Sequence, residues 1–316
     1  MKIIGTGSAL PEKTVTNDDL AAFLDTSDEW IRPRTGIRSR RVISREKLDA
    51  LAASAAQAAL ADAGLDASGV DFILCSNVCG EYMTPGLSCI IQGLIGASCP
   101  SLDINAACAG FVYALYTANA FMAASGYDRI LIVCAEENSR LVDWADRSTC
   151  VLFGDAAAAA VVERSAGKPF FHLRTSSNLD SLFARYAPGN SPYAPDQPPR
   201  AFLSMQGSFV FKQAVSTMCG DIRAVLEKSG VSEAEVDLFL LHQANYRIIK
   251  TIIDRMGAPE DRFPHNIGNY GNTSSASVPL LLDELKRAGR INRGDKVVFS
   301  AFGAGLTSAA CYMEWE

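Results

Sequence analysis

AALADAGL at residues 58–65 and VDFIL at residues 70–74 decide the fold, because the same pattern returns as AVLEKSGV at 224–231 and VDLFL at 236–240. Each copy predicts a helix that ends at a glycine, then a short loop and a buried strand. The glycines of the two copies are 166 positions apart. A pattern that returns at a fixed distance over this length indicates an internal duplication.

A second pair of segments supports the duplication. DRILIV at 128–133 and DKVVF at 295–299 both read as an Asp followed by a buried strand, and they are 167 positions apart. Continuous apolar strands that alternate with helices predict mostly parallel sheets covered on both faces. We therefore expect an α/β fold of two similar, interdependent halves, residues 1–165 and 170–316. The proline-rich segment 187–199 predicts a surface loop near their junction.

Composition excludes several classes of function. The 316 residues carry a net charge of −6, which gives no support for nucleic-acid binding. The N-terminus reads as a strand and a glycine turn, so no signal peptide is expected. The most apolar stretch, 105–126, contains Asn105 and Asn119 and predicts a buried helix, so no membrane partner is expected. Nine cysteines without regular spacing indicate reduced thiols and a cytoplasmic protein.

Cys108 is the first candidate for chemistry. It lies in INAACAGF at 104–111, between a predicted strand and an apolar helix. The N–H groups and dipole of a helix N-terminus favour a thiolate, which is the reactive form of cysteine. The alternative is that Cys108 is a small core residue, as buried cysteines often are. Cys75 and Cys79 are four apart, but no CxxC pair or histidine cluster accompanies them, so we expect no metal site.

Three further candidates follow predicted strands of the second half. His242 comes directly after the apolar strand 238–241, although a lone histidine there can be structural. Asn272 lies in GNYGNTSSAS at 268–277, the repeat equivalent of the Cys108 turn, and it could cap a helix or donate its amide to a substrate. The small residues AFGAG at 301–305 could turn backbone N–H groups toward a pocket.

These loops together make the sequence recognisable. The chain resembles the β-ketoacyl-acyl carrier protein synthase III family of the thiolase-like superfamily over nearly its whole length. The motifs that carry the resemblance are DTSDEWI at 25–31, RTGI at 34–37, AACAGF at 106–111, FGD at 153–155, HQAN at 242–245 and GNTS at 271–274. The resemblance implies a thiolase-like fold in α-β-α-β-α layers and a homodimer.

The resemblance also implies the reaction. An acyl-CoA primer would acylate Cys108, and malonyl-acyl carrier protein would then condense with it, with loss of CO2, to start fatty acid synthesis. His242 and Asn272 would bind the enolate oxygen, while the backbone N–H groups of Cys108 and Ala304 would form the oxyanion hole. The family usually has glycine where this chain has Ala304. Acyl-CoA and the carrier protein are substrates, and no cofactor is implied.

Other positions match binding residues of the family. Those for CoA and its pantetheine arm are Trp30, Arg34, Arg147, Gly207 and Asn245. Lys212 and Arg247 match a basic patch that docks acidic carrier protein, and Lys250 and Arg255 lie near it. Lys250 and Arg255 could equally be an ordinary solvated helix face. Thr84 stands where the acetyl-using enzymes carry a bulky aromatic residue that reaches the acyl pocket of the partner subunit. We hypothesise that this chain accepts primers longer than acetyl.

Rival interpretations remain. A related ketosynthase or acyltransferase of secondary metabolism would keep the same nucleophile. A degradative thiolase would need a second cysteine in the final glycine loop, and Cys311 lies beyond that loop. A hydroxymethylglutaryl-CoA synthase would need a carboxylate base, for which Glu81 aligns poorly. A non-catalytic subunit would usually lose the Cys, His or Asn that this chain keeps.

Overall fold

The computed structural model describes residues 1–187, 192–193, 196 and 198–316, and the order of its elements follows the repeat. The strands are β1 (Lys2–Ala9), β2 (Thr14–Thr16), β3 (Ser39–Arg41), β4 (Phe72–Ser76), β5 (Ser101–Ile104), β6 (Arg129–Glu136), β7 (Ala156–Glu163), β8 (Phe170–Asn178), β9 (Leu182–Arg185), β10 (Ala201–Met205), β11 (Leu238–Leu241), β12 (Lys296–Gly303) and β13 (Gly305–Glu314). The α-helices are α1 (Asn17–Ala21), α2 (Asp28–Thr35), α3 (Leu48–Asp62), α4 (Leu87–Ile95), α5 (Gly110–Ser125), α6 (Gly207–Ser229), α7 (Tyr246–Met256), α8 (Ile267–Tyr270) and α9 (Ser277–Arg287).

Strand direction confirms the prediction of mostly parallel sheets and refines it. The first large sheet has the order β1-β7-β6-β4-β5, and only β7 runs against its neighbours among the strands described there. The second has the order β11-β12-β13-β8, in which β13 alone of the described strands is reversed. The reversed strands β7 and β13 thus occupy matching places in the two sheets. Each pairs at the sheet edge with the first strand of its half: β7 with β1, and β13 with β8.

The layers follow from how side chains alternate along the strands. Ile130 and Ile132 of β6 face a central core that contains α5 and α9, whereas Leu131 and Val133 face α3. In the second sheet Phe299 faces the same central core, and Val298 and Phe302 of β12 face α6 and α7. Two helices therefore lie between the sheets and helices cover both outer faces, as the α-β-α-β-α prediction states.

Helix α5 is long and predominantly apolar. The helical stretch Ala107–Ser125 is long and apolar enough, by these two measures alone, to cross a membrane. In the structure it packs between the two sheets, with Phe111, Leu115 and Ala118 fully buried or nearly so. The helix predicted at 105–126 is present as Gly110–Ser125, buried on the face that packs between the sheets, whereas Tyr116 and its last residues are exposed.

The repeat extends to the turns that precede the central helices. The side-chain oxygen of Asn105 accepts a hydrogen bond from the N–H of Ala107 (3.1 Å), and that of Asn272 accepts one from Ser274 (2.8 Å). Ala107 and Ser274 both have positive φ angles, 46° and 52°. Each is the first residue of a short 3-10 turn that leads into α5 or α9, so the Cys108 turn and the Asn272 turn are structural equivalents.

The division of the chain into halves, 1–165 and 170–316, remains a proposal. α5 of the first half and α9 of the second pack in one shared core, so the halves are not separate in the fold. In chain order the proline-rich segment 187–199 comes between β9 and β10. β10 contacts the first half, because the Leu203 N–H donates to the Leu141 carbonyl at 2.8 Å. Pro192, Pro198 and Pro199 are exposed, as a surface loop predicts, whereas Pro188 and Pro195 lie outside the described residues.

Candidate active site

A cavity of about 480 Å³ lies where the two repeated turns meet the ends of the strands. Cys108, His242, Asn272 and Ala304 all line it, although they come from four separate segments. Of the other sequence-predicted site residues, Trp30, Arg34, Gly207, Lys212, Asn245 and Arg247 also line it. Much of the remaining wall is apolar: Leu141, Val151, Leu182, Leu203, Met205 and Phe302.

The Cys108 turn packs backbone against backbone on the glycine loop that follows β12. A Cβ atom on Gly303 would lie 2.6 Å from the Cys108 nitrogen, so only glycine fits there. The Thr307 hydroxyl donates to the Ala106 carbonyl at 2.8 Å and lies 3.0 Å from the Ala304 carbonyl. Sequence reasoning missed Thr307, since nothing in its local pattern indicates this contact.

The acidity of the Cys108 thiol differs from the sequence-based expectation. The residue is partly exposed toward the cavity, but protein surrounds the sulfur on its other sides. This burial raises the pKa of the thiol to about 12, the Ser274 side chain lowers it by a hydrogen bond, and the nearby Glu136 carboxyl raises it further. The expected position before a helix is confirmed, but the expected low pKa is wrong for the free chain, because desolvation of the thiolate dominates.

His242 is buried directly after β11, and burial lowers its pKa to about 3, so the ring is neutral near pH 7. Its Nδ1 lies 2.7 Å from the Ser277 hydroxyl oxygen. That oxygen also accepts the backbone N–H of Gln243 at 3.3 Å. Because this oxygen already accepts one N–H, we assign the hydroxyl hydrogen to Nδ1, an assignment that leaves the proton of the neutral ring on Nε2 as a donor. Sequence reasoning did not single out Ser277, although it lies in the quoted segment 268–277.

Asn272 is held rigidly on both sides. Its backbone N–H donates to Leu152 (2.8 Å), its carbonyl accepts the Gly154 N–H (3.0 Å), and its side-chain oxygen accepts the Ser274 N–H. Within the described part of the chain its amide nitrogen has no hydrogen-bond partner, and Asn272 lines the cavity. Capping of the turn and donation of the amide are thus compatible, because they use different atoms.

Glu136 is a second group that sequence reasoning missed. It is fully buried at the end of β6, and burial raises its pKa. Ser275 and Ser274 donate to its Oε1 at 2.6 and 3.1 Å. The one signal in the sequence was an acidic residue that closes an otherwise apolar strand, 130–135. An acidic side chain in such a place is almost never buried unless polar groups satisfy it.

At the mouth of the cavity, two arginine side chains lie over the ring of Trp30. The guanidinium carbons of Arg34 and Arg147 lie 4.8 and 5.2 Å from the Trp30 ring centroid. Arg147 also pairs with Asp25 at 3.1 Å. Asn245 begins α7, where its side chain accepts the Arg247 N–H (2.8 Å) and donates to the Arg34 carbonyl (3.2 Å).

The predicted docking residues separate into two groups. Lys212 and Arg247 are exposed at the cavity mouth, and the Arg247 guanidinium carbon lies 5.7 Å from the Phe211 ring centroid. Lys250 is paired with Asp254 (3.3 Å) and Glu260 (3.4 Å), which offset its charge. Arg255 is exposed in the last turn of α7 and is absent from the described lining.

The remaining positions bear on the rival interpretations. Thr84 is exposed and does not line the cavity within the described chain. Glu81 forms a surface pair with Lys47 at 3.8 Å and is likewise outside the described lining. Cys311 is buried in β13.

Metal ligation finds no support in the geometry. Among the residues with described positions, no group of three or more His, Cys, Asp or Glu could hold a metal ion. Cys75 is buried in β4, and Cys79 lies 3.5 Å from the Glu136 carboxylate.

Comparison with known proteins agrees with this arrangement. Two family models match, 3-oxoacyl-[acyl-carrier-protein] synthase III over residues 102–179 and its C-terminal part over residues 226–315. The β-ketoacyl-[acyl-carrier-protein] synthase III of Clostridium acetobutylicum is 38% identical over 100% of this chain and 98% of its own length. The crystal structure of the Aquifex aeolicus synthase III superposes with a TM-score of 0.92 at 39% identity, covering 99% of both chains.

A priming β-ketosynthase of the R1128 polyketide biosynthetic pathway is similar as well, with a TM-score of 0.90 and 35% identity over 99% of this chain and 96% of that one. The sequence motifs, the layered fold and these matches over the full length agree with one another. The chain therefore belongs to the 3-oxoacyl-[acyl-carrier-protein] synthase III family, within the thiolase-like superfamily.

Proposed function

We propose that this enzyme condenses an acyl-CoA primer with malonyl-acyl carrier protein, with loss of CO2, and so initiates fatty acid synthesis. One observation carries the proposal: Cys108, a neutral His242 and the free amide of Asn272 line one cavity. A nucleophile beside two uncharged donors suits a reaction that passes through an acyl-enzyme and an enolate.

In the first half-reaction Cys108 attacks the thioester carbonyl of the acyl-CoA. The backbone N–H groups of Cys108 and Ala304 bind the oxyanion of the tetrahedral intermediate, and CoA leaves. Gly303 supports this geometry because its lack of a side chain lets the loop approach the Cys108 nitrogen. Ala304 keeps the backbone donor that a glycine would supply, since its methyl group does not alter the N–H.

In the second half-reaction malonyl-acyl carrier protein loses CO2 to give an enolate. His242 Nε2–H and the Asn272 amide donate to the enolate oxygen, where negative charge develops. A buried neutral histidine suits this role better than a carboxylate, which would repel the enolate. The enolate carbon then attacks the acyl group on Cys108 and releases the β-ketoacyl product, so the cycle needs no cofactor.

The cavity mouth would bind the carriers. Trp30 stacks on the CoA adenine with Arg147 over its other face, Arg34 meets the phosphates, and Gly207 and Asn245 lie along the pantetheine arm. Lys212 and Arg247 attract the acidic carrier protein, which a chain of net charge −6 can bind only through a local basic patch. Lys250 and Arg255 contribute less, because the acidic neighbours of Lys250 offset its charge and Arg255 lies away from the mouth.

The working form would be a cytoplasmic homodimer. All nine cysteines, each within the described residues, are free thiols, which fits a reducing compartment. Thr84 would reach the acyl pocket of the partner subunit, and its small side chain would leave room for primers longer than acetyl. The apolar wall formed by residues such as Leu141, Leu182 and Phe302 suits an acyl chain.

A second candidate is the priming step of a secondary-metabolite pathway, favoured by the similarity to the R1128 priming ketosynthase. The chemistry at Cys108 would be the same, and the difference would lie in the carrier protein and the primer. Competition between a fatty-acid and a polyketide carrier protein for the acyl-enzyme separates the two candidates.

The proposal is tested by intact-mass spectrometry after the protein is mixed with acyl-CoA thioesters of increasing chain length. We expect one acyl adduct, absent from the Cys108→Ala control, that is consumed when malonyl-acyl carrier protein is added. An adduct that malonyl-acyl carrier protein does not consume would point to plain acyl transfer. Absence of any adduct would contradict the acyl-CoA primer.

A further inference from the structure

Glu136 is a buried acid beside the nucleophile that the proposed reaction does not use. It ends β6 and is fully buried. Its Oε1 accepts the hydroxyls of Ser275 (2.6 Å) and Ser274 (3.1 Å). Its Oε2 accepts the backbone N–H of Val78 (3.1 Å) and lies 3.5 Å from the Cys79 sulfur.

Four donors therefore surround this carboxyl, and no cation does. None of the ion pairs formed by the described residues involves Glu136. A buried carboxylate without a cation is costly even when it is hydrogen-bonded, so it gains from taking up a proton. A group of this kind can serve as a proton acceptor inside the protein.

Ser274 lies between Glu136 and the nucleophile. Its hydroxyl donates to Glu136 at 3.1 Å, it lines the same cavity as Cys108, and its side chain lowers the pKa of the Cys108 thiol. A hydroxyl has one hydrogen, so it cannot donate to both neighbours at once. Two arrangements satisfy the chain of three groups. Either the thiol donates to Ser274 and Ser274 donates to the carboxylate, or protonated Glu136 donates to Ser274 and Ser274 donates to the thiolate.

We propose that Ser274 and Glu136 form a proton relay that takes the thiol proton of Cys108 during acylation and returns it during condensation. In this relay Ser274 exchanges the proton with the reacting sulfur, and Glu136 is a positioning residue that acts through Ser274. The proposal rests on the proposed function only for the identity of the substrates.

The relay balances over one turnover. As the Cys108 sulfur forms its bond to the acyl carbon, its proton passes to Ser274 while the Ser274 proton passes to Glu136. The C–S bond of acyl-CoA breaks, and the CoA thiolate takes a proton from water. Glu136 keeps its proton while Cys108 is acylated. When condensation expels the Cys108 thiolate, the same two transfers run backwards and restore the thiol and the carboxylate.

The surroundings suit such an exchange. The titratable groups that face Glu136 from neighbouring elements are Cys75 on β4, Cys79 in the loop after β4, Cys134 on β6 itself and Cys108. Burial raises the pKa of each of these thiols, so all are neutral near pH 7. Beyond them, Asp103 faces Cys75 and Asp155 faces Cys79, and His242 stays neutral. Glu136 is the acid of this group to which Ser274 is hydrogen-bonded, so it is the one that takes the proton.

The relay changes how thiol reactivity depends on pH. When the proton moves inside the protein, the thiolate fraction stays constant with pH as long as the pair shares one proton. When the proton must go to water, the thiolate fraction rises tenfold with each unit of increase in pH, as long as the pH is below the pKa of the thiol. The two cases are distinguished by the slope of a rate profile.

The test is the rate of alkylation of Cys108 by iodoacetamide from about pH 5 to pH 9, followed by peptide mass spectrometry so that the other cysteines are not counted. For the unchanged enzyme we expect a plateau around neutral pH. In Glu136→Gln and in Ser274→Ala we expect a rate at least tenfold lower at pH 7 and a tenfold rise per pH unit. Glu136→Asp, which keeps a carboxyl, should restore part of the plateau.

Ser275→Ala is the matched control. It removes a neighbouring hydroxyl that also donates to Glu136 but leaves the Ser274 hydroxyl and its bond to Glu136 in place, so its plateau and rate should stay within about threefold. A plateau retained in Glu136→Gln, or faster alkylation in that variant, would overturn the relay. If Glu136→Gln does not fold, Ser274→Ala decides alone. Because alkylation needs no acyl-CoA, the result is independent of whether the proposed substrates are correct.

Discussion

The neutral ring of His242 can donate to the enolate oxygen only if its hydrogen is on Nε2. The hydrogen bond between Nδ1 and Ser277 favours this tautomer. The Ser277 oxygen accepts the Gln243 N–H and lies 2.7 Å from Nδ1. In Ser277→Ala the ring loses its fixed tautomer and orientation, so enolate stabilisation weakens while attack by Cys108 does not depend on it. We expect decarboxylation of malonyl-acyl carrier protein to fall about tenfold to a hundredfold, with acyl loading within twofold. Release of CO2 and intact-mass loading measure the two steps separately.

Ser300→Ala is the control for this variant. The Ser300 hydroxyl is buried without a hydrogen-bond partner among described residues, while its carbonyl accepts the His242 backbone N–H at 2.8 Å. Removal of that hydroxyl leaves the carbonyl, so both steps should be unchanged. Equal losses of loading and decarboxylation in Ser277→Ala would show that Ser277 supports the fold rather than the tautomer.

Ala304 raises a separate question, since the family usually has glycine there. The role proposed for Ala304 depends on its backbone N–H, so Ala304→Gly should leave acyl loading within about threefold. Gly303→Ala should reduce loading by about a hundredfold, because the added Cβ would lie 2.6 Å from the Cys108 nitrogen and displace the oxyanion donors. Loading rates of the two variants, with thermal melting as the check on folding, test the assignment. Strong impairment by Ala304→Gly would mean that the methyl group itself shapes the pocket.

At the scale of elements, the sequence predicted what depends on local pattern. The repeated helix, glycine and strand are all present, and the helices that start at Leu48 and Gly207 both end near the predicted glycines. The order of strands in each sheet could not be predicted, because pairing joins segments far apart in the chain. The reversed strands β7 and β13 are apolar and read like the parallel strands around them.

The candidate site shows the same limit. Cys108, His242 and Asn272 could be proposed because each follows a recognisable strand or turn. The pKa of Cys108 could not, since it depends on burial and on contacts with Ser274 and Glu136, which are distant in sequence. Thr307 was missed for the same reason, because its partner Ala106 lies 201 positions away.

Asp155 connects three elements at the start of β7. Its carboxylate accepts the N–H of Ile43 and both the N–H and hydroxyl of Ser139, and burial raises its pKa from 3.8 to about 6. The folded chain therefore binds this proton more tightly than the unfolded chain does between these two pH values. The contribution of Asp155 to stability is thus full below about pH 4 and declines as the pH rises to about 6, by at most about 3 kcal/mol.

The variant Asp155→Asn lacks this titration. We expect the free energy of unfolding of the unchanged enzyme, minus that of the variant, to decrease by up to about 3 kcal/mol from pH 4 to pH 7. Urea unfolding at a fixed protein concentration measures it, and the other titrating groups cancel in the difference. A difference that grows with pH would mean that folding lowers the pKa of Asp155.

At the scale of the whole molecule, the first sheet ends in an edge strand that is poorly covered. β5 is the outer strand, and Leu102 on it is 45% exposed. The loop before α4 adds Tyr82 and Met83, which are 50% and 87% exposed. An open apolar edge of this kind favours pairing with another copy, and it lies beside Thr84. The proposed dimer would therefore place the Thr84 loop next to the partner subunit.

This geometry predicts that Thr84 sets primer length in the partner's pocket rather than in its own. In a heterodimer of one unchanged chain and one chain that carries both Cys108→Ala and Thr84→Phe, only the unchanged chain can be acylated. The aromatic ring would fill the unchanged chain's pocket from across the interface. We therefore expect the ratio of acetyl-CoA loading to octanoyl-CoA loading on that chain to be at least tenfold higher than in the unchanged homodimer. Intact-mass spectrometry of an affinity-tagged heterodimer measures the two adducts. The reciprocal heterodimer, in which Thr84→Phe is on the chain that keeps Cys108, should retain the original preference, and the opposite pattern would place Thr84 in its own subunit's pocket.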